Sequence, residues 1–253
     1  MALLSLREVS KSFGGLIAVK ELSLDVEPGS IVSLIGPNGA GKSTVFNLIT
    51  GIYEPTHGDV VFAGRRLNGL KPNAVCAAGI MRTFQNIRLF AFMTVLENVM
   101  VGQHARLKAA VWDGALHTRF ASNEDKAADR KAMELLEFVG LEAYTSFWAR
   151  NLPYGMQRRL EIARALAGEP QLLLLDEPAA GTNPAEKDAL MQLVRSIRDR
   201  GVTILLIEHD MRLVMGISDE VHVLDYGEKI AQGPPQAVRR NPRVIEAYLG
   251  KGA

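Results

Sequence analysis

The sequence has a single cysteine and no long apolar run. Cys76 cannot form a disulfide within the chain, which favours a reducing compartment. Every apolar stretch is shorter than the roughly 18 residues that a membrane-spanning helix requires, and residues 1–6 are too few for the apolar part of a signal peptide. We therefore expect a cytosolic protein whose contact with a membrane is peripheral and made through a partner.

An excess of charge of either sign is also missing. The 253 residues include 29 basic and 28 acidic side chains, for a net charge of +1. Composition therefore gives no indication of a nucleic-acid partner, and we expect none. Internal repeats and low-complexity tracts are absent from the sequence as well. The length suffices for one sizeable core, or for one core with an additional lobe.

A glycine-rich segment, named here the phosphate loop (residues 36–44), carries a strong pattern. It fits G-x-x-x-x-G-K-[ST], in which backbone N–H groups surround nucleotide phosphates. The apolar run before it predicts a buried parallel strand at Ile31–Ile35, and helical spacing follows it at Val45–Ile49. We therefore predict that nucleotide binds at Gly36, Pro37, Asn38, Gly39, Ala40, Gly41, Lys42, Ser43 and Thr44.

The residue types in the phosphate loop suit phosphate chemistry. Glycines permit backbone angles and a close approach that a Cβ would prevent. A helix that begins near Lys42 would direct its positive dipole end at the phosphates. Lys42 adds a positive charge at the β and γ oxygens, and the Ser43 hydroxyl can ligate Mg²⁺.

Two adjacent carboxylates, Asp176 and Glu177, end a second apolar run at Leu172–Leu175. They supply what the phosphate loop lacks, which is a carboxylate for Mg²⁺ and a base for water. The two patterns together predict hydrolysis of the nucleotide with Mg²⁺ as cofactor. A nucleotide-binding module without hydrolysis is the alternative, and Glu177 argues against it.

The order of the predicted elements indicates an α/β fold. Short strands separated by turns predict an N-terminal antiparallel sheet built around Ile31–Ile35; these strands are Leu3–Val9, Ala18–Val26 and Asp59–Phe62. Parallel strands are expected at Leu172–Leu175 and Thr203–Ile207, with a helix at Ala185–Arg200 between them. Tyr226 and Gly227 predict a hairpin, and a terminal helix follows it.

A helical lobe interrupts this alternation. We place it at residues 87–164, with residues 1–86 and 165–253 forming the nucleotide-binding α/β core of a single domain. Within the lobe, residues 104–130 are charged and poorly periodic, which predicts a solvated surface excursion. A partner-facing segment is the alternative, because Trp112 and Phe120 lie in this polar stretch. The remaining histidines are expected to be ordinary surface or core residues: His57, His104, His117 and His222.

Between the two patterns lies the signature segment, Leu152-Pro153-Tyr154-Gly155-Met156, followed by an expected helix at Leu160–Ala167. At this point the chain resembles the ATP-binding subunits of ABC transporters over essentially its whole length. Their signature is commonly written L-S-G-G-Q. The resemblance implies a P-loop NTPase with a mostly parallel core sheet, an N-terminal antiparallel β-subdomain and an inserted helical lobe. It also implies that the nucleotide is ATP.

The resemblance assigns roles to single residues. It places Phe13 against adenine and Gln85 where a glutamine links Mg²⁺ and water to the lobe. Glu177 matches the catalytic glutamate and His209 the switch histidine. The implied catalytic set is Glu177, His209, Lys42 and Gln85, and the implied metal set is Ser43, Gln85 and Asp176. In this family the signature segment closes over ATP bound by a second chain, and here Tyr154 and Gly155 would hold that phosphate through their backbone N–H groups.

Three residues depart from the family pattern. Pro153 replaces the signature serine, so the usual hydroxyl contact to the γ-phosphate cannot form. Met156 stands where glutamine is common. Asn183 takes the place of an aspartate and brings no charge to an interface. Their effect on turnover stays open at the level of sequence.

Finer features resemble the LivG-type subunits of branched-chain amino acid importers. They include Pro178–Gly181, Ile207–Met211 and the ending Ala247–Gly250. The ATPase of a lipid or lipopolysaccharide exporter is an alternative, because it shares the Tyr-Leu-Gly ending. A soluble ABC ATPase that acts on nucleic acid or ribosomes is a further alternative.

The LivG-type resemblance also implies partners and a location. It implies a second ATP-binding subunit, identical or different, multi-span membrane permeases and, indirectly, a periplasmic solute-binding protein. The chain would lie at the cytoplasmic face of the inner membrane as a peripheral subunit. Candidates for the contact with the permease are Ile87–Phe90 and Met93–Val95; the alternative is that these residues form the core of the lobe.

Overall fold

A computed structural model describes residues 1–104 and 119–249, with side chains for 1–104 and 126–248. Trp112, His117 and the side chain of Phe120 lie outside these ranges, so the alternatives for residues 104–130 stay predictions. The chain divides into two compact units. The first unit is Met1–Arg82 with Gln171–Ala253, and the second unit is Thr83–Pro170.

The first unit contains two β-sheets. One is antiparallel, in the order β2-β1-β4-β5, with β1 Leu4–Phe13, β2 Leu16–Val26, β4 His57–Phe62 and β5 Arg65–Arg66. The other has the order β10-β9-β3-β8-β7-β6, with β3 Ile31–Ile35, β6 Ile80–Arg82, β7 Leu172–Asp176, β8 Thr203–Ile207, β9 Glu220–Asp225 and β10 Glu228–Gly233. Its pairings are parallel except that β10 runs antiparallel to β9.

The predicted antiparallel sheet is therefore present, but the prediction that it is built around Ile31–Ile35 is wrong. This strand, β3, pairs in parallel with β8 and β9 and belongs to the other sheet. All five of its side chains are buried, and a strand buried on both faces is typical of the interior of a parallel sheet. β7 and β8 are buried along their whole length in the same way.

The helices of the first unit follow the strands. They are α1 Lys42–Ile49, α2 Pro72–Ala77, α6 Pro184–Asp199, α7 Met211–Ile217, α8 Pro235–Arg239 and α9 Pro242–Leu249. β3, β7 and β8 are parallel, so their carboxyl ends meet at one edge of the sheet. The phosphate loop and Glu177 directly follow β3 and β7, and His209 is the second residue after β8. The topology thus brings the residues of two separate sequence patterns to one place.

The second unit is helical. Its long elements are α3 Val95–Gly102, α4 Arg119–Phe138 and α5 Tyr154–Ala167, with short 3₁₀ turns at Glu142–Tyr144 and Ala149–Asn151. α3 and α5 pack so closely that Gly102 has no room for a side chain: a Cβ there would lie 2.1 Å from the Arg164 carbonyl oxygen. None of the helices formed by the described residues combines the length and apolar character that a bilayer crossing requires.

Candidate active site

The phosphate loop presents backbone rather than side chains. Gly39, at its exposed tip, has φ of 82°, and a Cβ there would meet no atom of the described residues beyond its chain neighbours within 4 Å. Gly41 precedes α1 with φ of 99°, and a Cβ there would lie 2.5 Å from the Ala18 carbonyl oxygen. Among the described residues no side chain caps α1. The first N–H groups of an α-helix have no partner inside the helix, so this end of α1 suits an anion such as phosphate.

Lys42 belongs to the phosphate loop, and its side chain contacts the backbone at the start of that loop. Its side chain is buried, and Nζ donates hydrogen bonds to the carbonyl oxygens of Gly36 (2.7 Å) and Pro37 (2.8 Å). Burial lowers the pKa of Lys42, while the charges of Glu177 and Asp176 act to raise it. The ammonium therefore lies in the field of both carboxylates. The structure thus brings together the cation of the first sequence pattern and the carboxylates of the second.

Asp176, the last residue of β7, is held by an arginine that the sequence analysis did not single out. Arg82 Nη2 lies 2.7 Å from Asp176 Oδ2, and both side chains are buried. Arg82 Nη1 also donates to Asn47 Oδ1 at 2.7 Å, and its guanidinium lies over the Phe46 ring. Arg82 therefore ties the end of β7 to α1, the helix that follows the phosphate loop.

Glu177 and His209 lie side by side. His209 Nδ1 is 3.9 Å from Glu177 Oε2, and the imidazole is 61% exposed. Glu177 has φ of 46°, and its N–H donates to the Ile207 carbonyl oxygen at 2.9 Å. A positive φ is unfavourable for a residue with a side chain. The predicted base is therefore held in a strained turn at the sheet edge, beside the predicted switch histidine.

Phe13 ends β1 and keeps an exposed ring. Phe13 is 41% exposed, its ring packs in a T-shaped arrangement with Tyr53 at 5.1 Å between centroids, and Lys11 Nζ lies 5.1 Å from the ring centroid. A partly exposed aromatic side chain is suited to stacking on a base. Its contact with adenine stays a prediction.

The signature segment starts α5 in the second unit. Pro153 is the residue before the helix, with φ of −54°, so Tyr154 and Gly155 are its first two residues. Pro153 accepts hydrogen bonds from the N–H groups of Met156 and Gln157 through its carbonyl oxygen. The N–H groups of Tyr154 and Gly155 occupy the first two helical positions, which have no acceptor within the helix. This geometry suits the predicted phosphate contact, which stays a prediction.

Gln85 lies in the second unit with an exposed side chain, and a buried arginine fixes its backbone. Arg158 Nη1 donates to the Phe84 carbonyl oxygen (2.7 Å), and Nη2 donates to the Gln85 carbonyl oxygen (2.9 Å). Arg158 Nη2 also lies 3.1 Å from the Tyr154 hydroxyl. One side chain thus connects the Gln85 backbone to the signature segment.

Arg158 is paired with Glu161, one turn along α5. Nη1 of the arginine lies 3.0 Å from Glu161 Oε2, and both side chains are almost fully buried. Glu161 Oε1 accepts the N–H groups of Phe84 and Arg88, each at 3.3 Å. Burial raises the pKa of Glu161, and the Arg158 charge opposes this.

Asn183 has a structural role. It precedes α6, and its side chain accepts the Glu186 N–H at 3.0 Å while Glu186 Oε2 accepts the Asn183 N–H at 2.9 Å. This reciprocal pair is a capping box, which satisfies backbone donors at a helix start. Asn183 therefore caps the start of α6.

Comparisons with known proteins identify the family. The family model described as ABC transporter matches residues 19–180, and the model described as branched-chain amino acid ATP-binding cassette transporter matches residues 228–253. The high-affinity branched-chain amino acid transport ATP-binding protein LivG of Escherichia coli strain K12 is 49% identical over 251 residues, with 98% of each chain covered. The chain belongs to the ABC transporter family. BraF of Pseudomonas aeruginosa, which has the same description, is 46% identical to this ABC cassette over 250 residues, with 98% of each chain covered.

Solved ABC cassettes have the same fold. An ATP-binding cassette of an ABC transporter in its ADP conformation is 32% identical, with a TM-score of 0.86, covering 99% of this chain and 100% of that chain. A dimeric cassette bound to ADP and Pi is 26% identical, with a TM-score of 0.78, covering 92% of this chain and 98% of that chain. The predicted family, the α/β P-loop NTPase fold and the ATPase activity are thereby confirmed.

Sequence reasoning missed four charged residues of this ABC cassette: Arg82, Arg158, Glu161 and Glu208. All are buried or nearly so. A signal was present for two of them, because Arg158 and Glu161 stand three apart on a helix among apolar residues. The roles assigned to single site residues stay predictions.

Proposed function

We propose that this ABC cassette is the ATP-hydrolysing subunit of an importer for branched-chain amino acids. The observation that carries the proposal is the similarity to LivG and BraF over 98% of the chain. The phosphate loop, Asp176, Glu177 and His209 lie within one compact unit, which supports hydrolysis by this subunit.

The chain's own groups have distinct tasks in the proposed reaction. The N-terminus of α1 and the Lys42 ammonium bind the phosphates and stabilise negative charge that develops during transfer. Glu177 orients the attacking water and accepts its proton. His209, with its ring nitrogen 3.9 Å from Glu177, contacts the γ-phosphate. Little covalent chemistry is required of the protein, because phosphoryl transfer depends mainly on position and charge.

The residues present suit Mg²⁺ in their donor chemistry. Ser43 offers a hydroxyl in the first turn of α1, and Asp176 offers a carboxylate at the end of β7. Oxygen donors of this kind, together with phosphate oxygens, are the usual ligands of Mg²⁺. When bound, the ion would neutralise charge on the phosphates. Gln85, the third predicted ligand, lies in the second unit, and its contact is part of the proposal.

A second ATP-binding subunit is part of the proposed assembly. A related cassette bound to ADP and Pi is dimeric. In the proposed dimer the signature segment of each chain contacts ATP on the other, through the N–H groups of Tyr154 and Gly155. ATP binding then favours the closed state, and hydrolysis releases it.

The second unit has an exposed aromatic surface that we assign to a multi-span permease. Phe92 and Trp148 are 72% and 44% exposed, with 6.1 Å between centroids, and the Arg150 guanidinium lies over both rings. Buried Asn98 fixes the adjacent loop by accepting the Phe90 N–H at 2.9 Å. Exposed aromatic residues with an arginine are typical of binding surfaces. Among the candidates from the sequence, Phe90 and Met93 are exposed, whereas Val95 is buried.

Reconstitution tests this proposal. The chain would be purified in complex with its permeases and reconstituted in liposomes, so that it lies on the side that corresponds to the cytoplasm. ATP and a leucine-loaded binding protein would then be supplied. We expect leucine uptake and ATP hydrolysis that both disappear in Lys42→Ala. Uptake with no requirement for ATP, or co-purification with components of lipid export instead, would contradict the assignment.

The aromatic surface has its own test. Phe92→Asp is expected to abolish co-purification with the permeases while leaving the ATP dissociation constant unchanged. Ile17→Asp, at a 52% exposed apolar residue on β2 of the first unit, is the matched control and should keep the complex intact. An intact complex with the Phe92 variant would refute the assignment of this surface.

A further inference from the structure

Glu208 is a buried carboxylate to which the proposed mechanism gives no task. It follows β8 directly, and its side chain is 0% exposed. A buried charge is costly unless hydrogen bonds replace its contacts with water. The partners of this side chain therefore indicate what it does.

The carboxylate of Glu208 accepts three backbone N–H groups from two loops. Oε1 accepts the Ala179 N–H at 2.8 Å. Oε2 accepts the N–H groups of His209 at 3.0 Å and Asp210 at 3.3 Å. Hydrogen bonds to an ionised acceptor are stronger than those between neutral groups. The side chain thus links the loop after β7 to the loop after β8.

The first of these loops contains the predicted base. Ala179 lies two residues after Glu177, whose φ of 46° is unfavourable. The Glu177 N–H donates to the Ile207 carbonyl oxygen, and its own carbonyl oxygen accepts the Ala180 N–H. Glu208 fixes the end of this strained turn by accepting the Ala179 N–H.

The second loop contains the predicted switch histidine, whose ring is mostly exposed. Its backbone is anchored by the same carboxylate that anchors the turn of the base. We propose that Glu208 is a positioning residue, which sets the place of Glu177 relative to His209 through three backbone hydrogen bonds. This inference rests on the proposed function.

Glu208→Gln tests the inference in the full-length chain. The amide keeps the size of the side chain, but only one of its two terminal atoms accepts a hydrogen bond, so it cannot serve both loops. We expect kcat for ATP hydrolysis to fall at least tenfold. The dissociation constant of ATPγS, measured by calorimetry, should stay within twofold of wild type, because the phosphate loop is not altered.

Asp219→Asn is the matched control. Asp219 Oδ2 also accepts a backbone N–H, that of Ile31 at 2.8 Å, but at the opposite end of β3 from the phosphate loop. This variant should hydrolyse ATP at the wild-type rate. If it loses activity as Glu208→Gln does, the effect is a general weakening of the sheet and the inference is wrong.

The remaining outcomes also decide the question. An unchanged kcat in folded Glu208→Gln overturns the inference, and so does a parallel loss of ATPγS affinity. If that variant does not fold, Glu208→Asp, which keeps the charge and shortens the reach, must show the same selective loss of kcat. If neither variant folds, Glu208 serves folding and the inference is overturned. A wild-type chain that does not hydrolyse ATP would instead refute the proposed function.

Discussion

Each unit contains a buried arginine–carboxylate pair, and the two pairs differ in what surrounds them. In the first unit Arg82 pairs with Asp176 at the edge of a sheet, where Lys42 lies near the same carboxylate. In the second unit Arg158 pairs with Glu161 inside a helical packing, and both side chains also bind backbone groups around Gln85. In the first pair Arg82 contacts Asp176, a predicted ligand of Mg²⁺. The side chains of the second pair also contact backbone groups.

This difference shows how the two units fix their predicted site residues. In the first unit the residues follow the ends of buried strands, so the sheet itself sets their positions. In the second unit Gln85 and Tyr154 are exposed, and the Arg158 side chain contacts both of them. We therefore expect the first arrangement to tolerate the loss of one side chain better than the second.

Arg158→Met should produce the largest effect. It leaves Glu161 as a buried charge without its arginine, and removal of one partner of a buried pair typically costs about 3–5 kcal/mol. We expect the free energy of unfolding, measured in urea, to fall by about 4 kcal/mol. The double variant Arg158→Met with Glu161→Met should recover most of this loss, because neither charge of the pair remains.

An exposed pair is the control for this experiment. Arg66 lies 2.6 Å from Asp59, with side chains 66% and 45% exposed. Arg66→Met should change the free energy of unfolding by less than about 1 kcal/mol, as is usual for surface ion pairs. Equal losses in the Arg66 and Arg158 variants would show that burial does not distinguish the two pairs.

His222 is buried as completely as either pair, but without a comparable partner. Neither ring nitrogen has a hydrogen bond among the described residues, and Nε2 is 3.6 Å from Glu220 Oε1. Burial lowers the pKa of His222 to about 4 from 6.5, with Lys229 acting in the same direction and Asp25 opposing it. The two arginines donate hydrogen bonds to carboxylates, whereas this imidazole is buried without such a bond among the described residues and stays neutral at pH 7.

A lowered pKa makes stability depend on pH. Between pH 6.5 and 4 the unfolded chain binds the proton that the folded chain excludes, so the free energy of unfolding decreases as the pH falls through this window. The expected contribution of His222 is about 3 kcal/mol. Unfolding free energies of wild type and His222→Leu at pH 7 and pH 4 check this. A difference between the two proteins that does not change with pH would contradict it.

Arg82→Met should cost less than Arg158→Met. Lys42 supplies positive charge near Asp176, so we expect a loss of about 2 kcal/mol without nucleotide. Mg²⁺ with ATP should then raise the melting temperature of this variant more than that of wild type, because the ion restores a cation beside Asp176. The Arg158 variant should show no such extra gain. An equal gain in both variants would contradict the view that the Arg82–Asp176 pair, and not the Arg158–Glu161 pair, lies at the predicted Mg²⁺ site.

Asn183→Ala should produce the smallest effect. Loss of the cap of α6 is expected to lower the free energy of unfolding by about 1 kcal/mol, since the Glu186 N–H loses its acceptor. Asn183→Asp retains an acceptor and is the control. If the alanine variant is as stable as the aspartate variant, the capping box does not contribute measurably.

Local patterns predicted the parts of the fold that depend on neighbours in sequence. The strand Ile31–Ile35, the glycine turn and the start of α1 have the predicted order, and the hairpin at Tyr226 and Gly227 joins β9 to β10. The end of β1 differs, because the first strand was expected to end at Val9 but extends to Phe13, which pairs with Leu16 of β2. Pairing between strands is a tertiary effect that composition of a short segment does not encode.

The missed residues have one physical cause in common. Arg82, Arg158 and Glu208 act through contacts with residues far away in sequence, such as Asp176, Gln85 and Ala179. In sequence a charged residue is normally a sign of exposure, and only the fold supplies the partners that make burial favourable. The sequence therefore singled out residues whose chemistry suits a nucleotide, but it did not single out the buried residues that hold them in place.

Hydrolysis by Glu177→Gln tests the central claim most directly. The amide keeps the shape of the side chain but cannot accept the proton of the attacking water. The account predicts that ATP binds with wild-type affinity while kcat falls at least about 100-fold, within the range usual for loss of a general base. Full hydrolysis by this variant would contradict the assignment of Glu177 and, with it, the proposed mechanism.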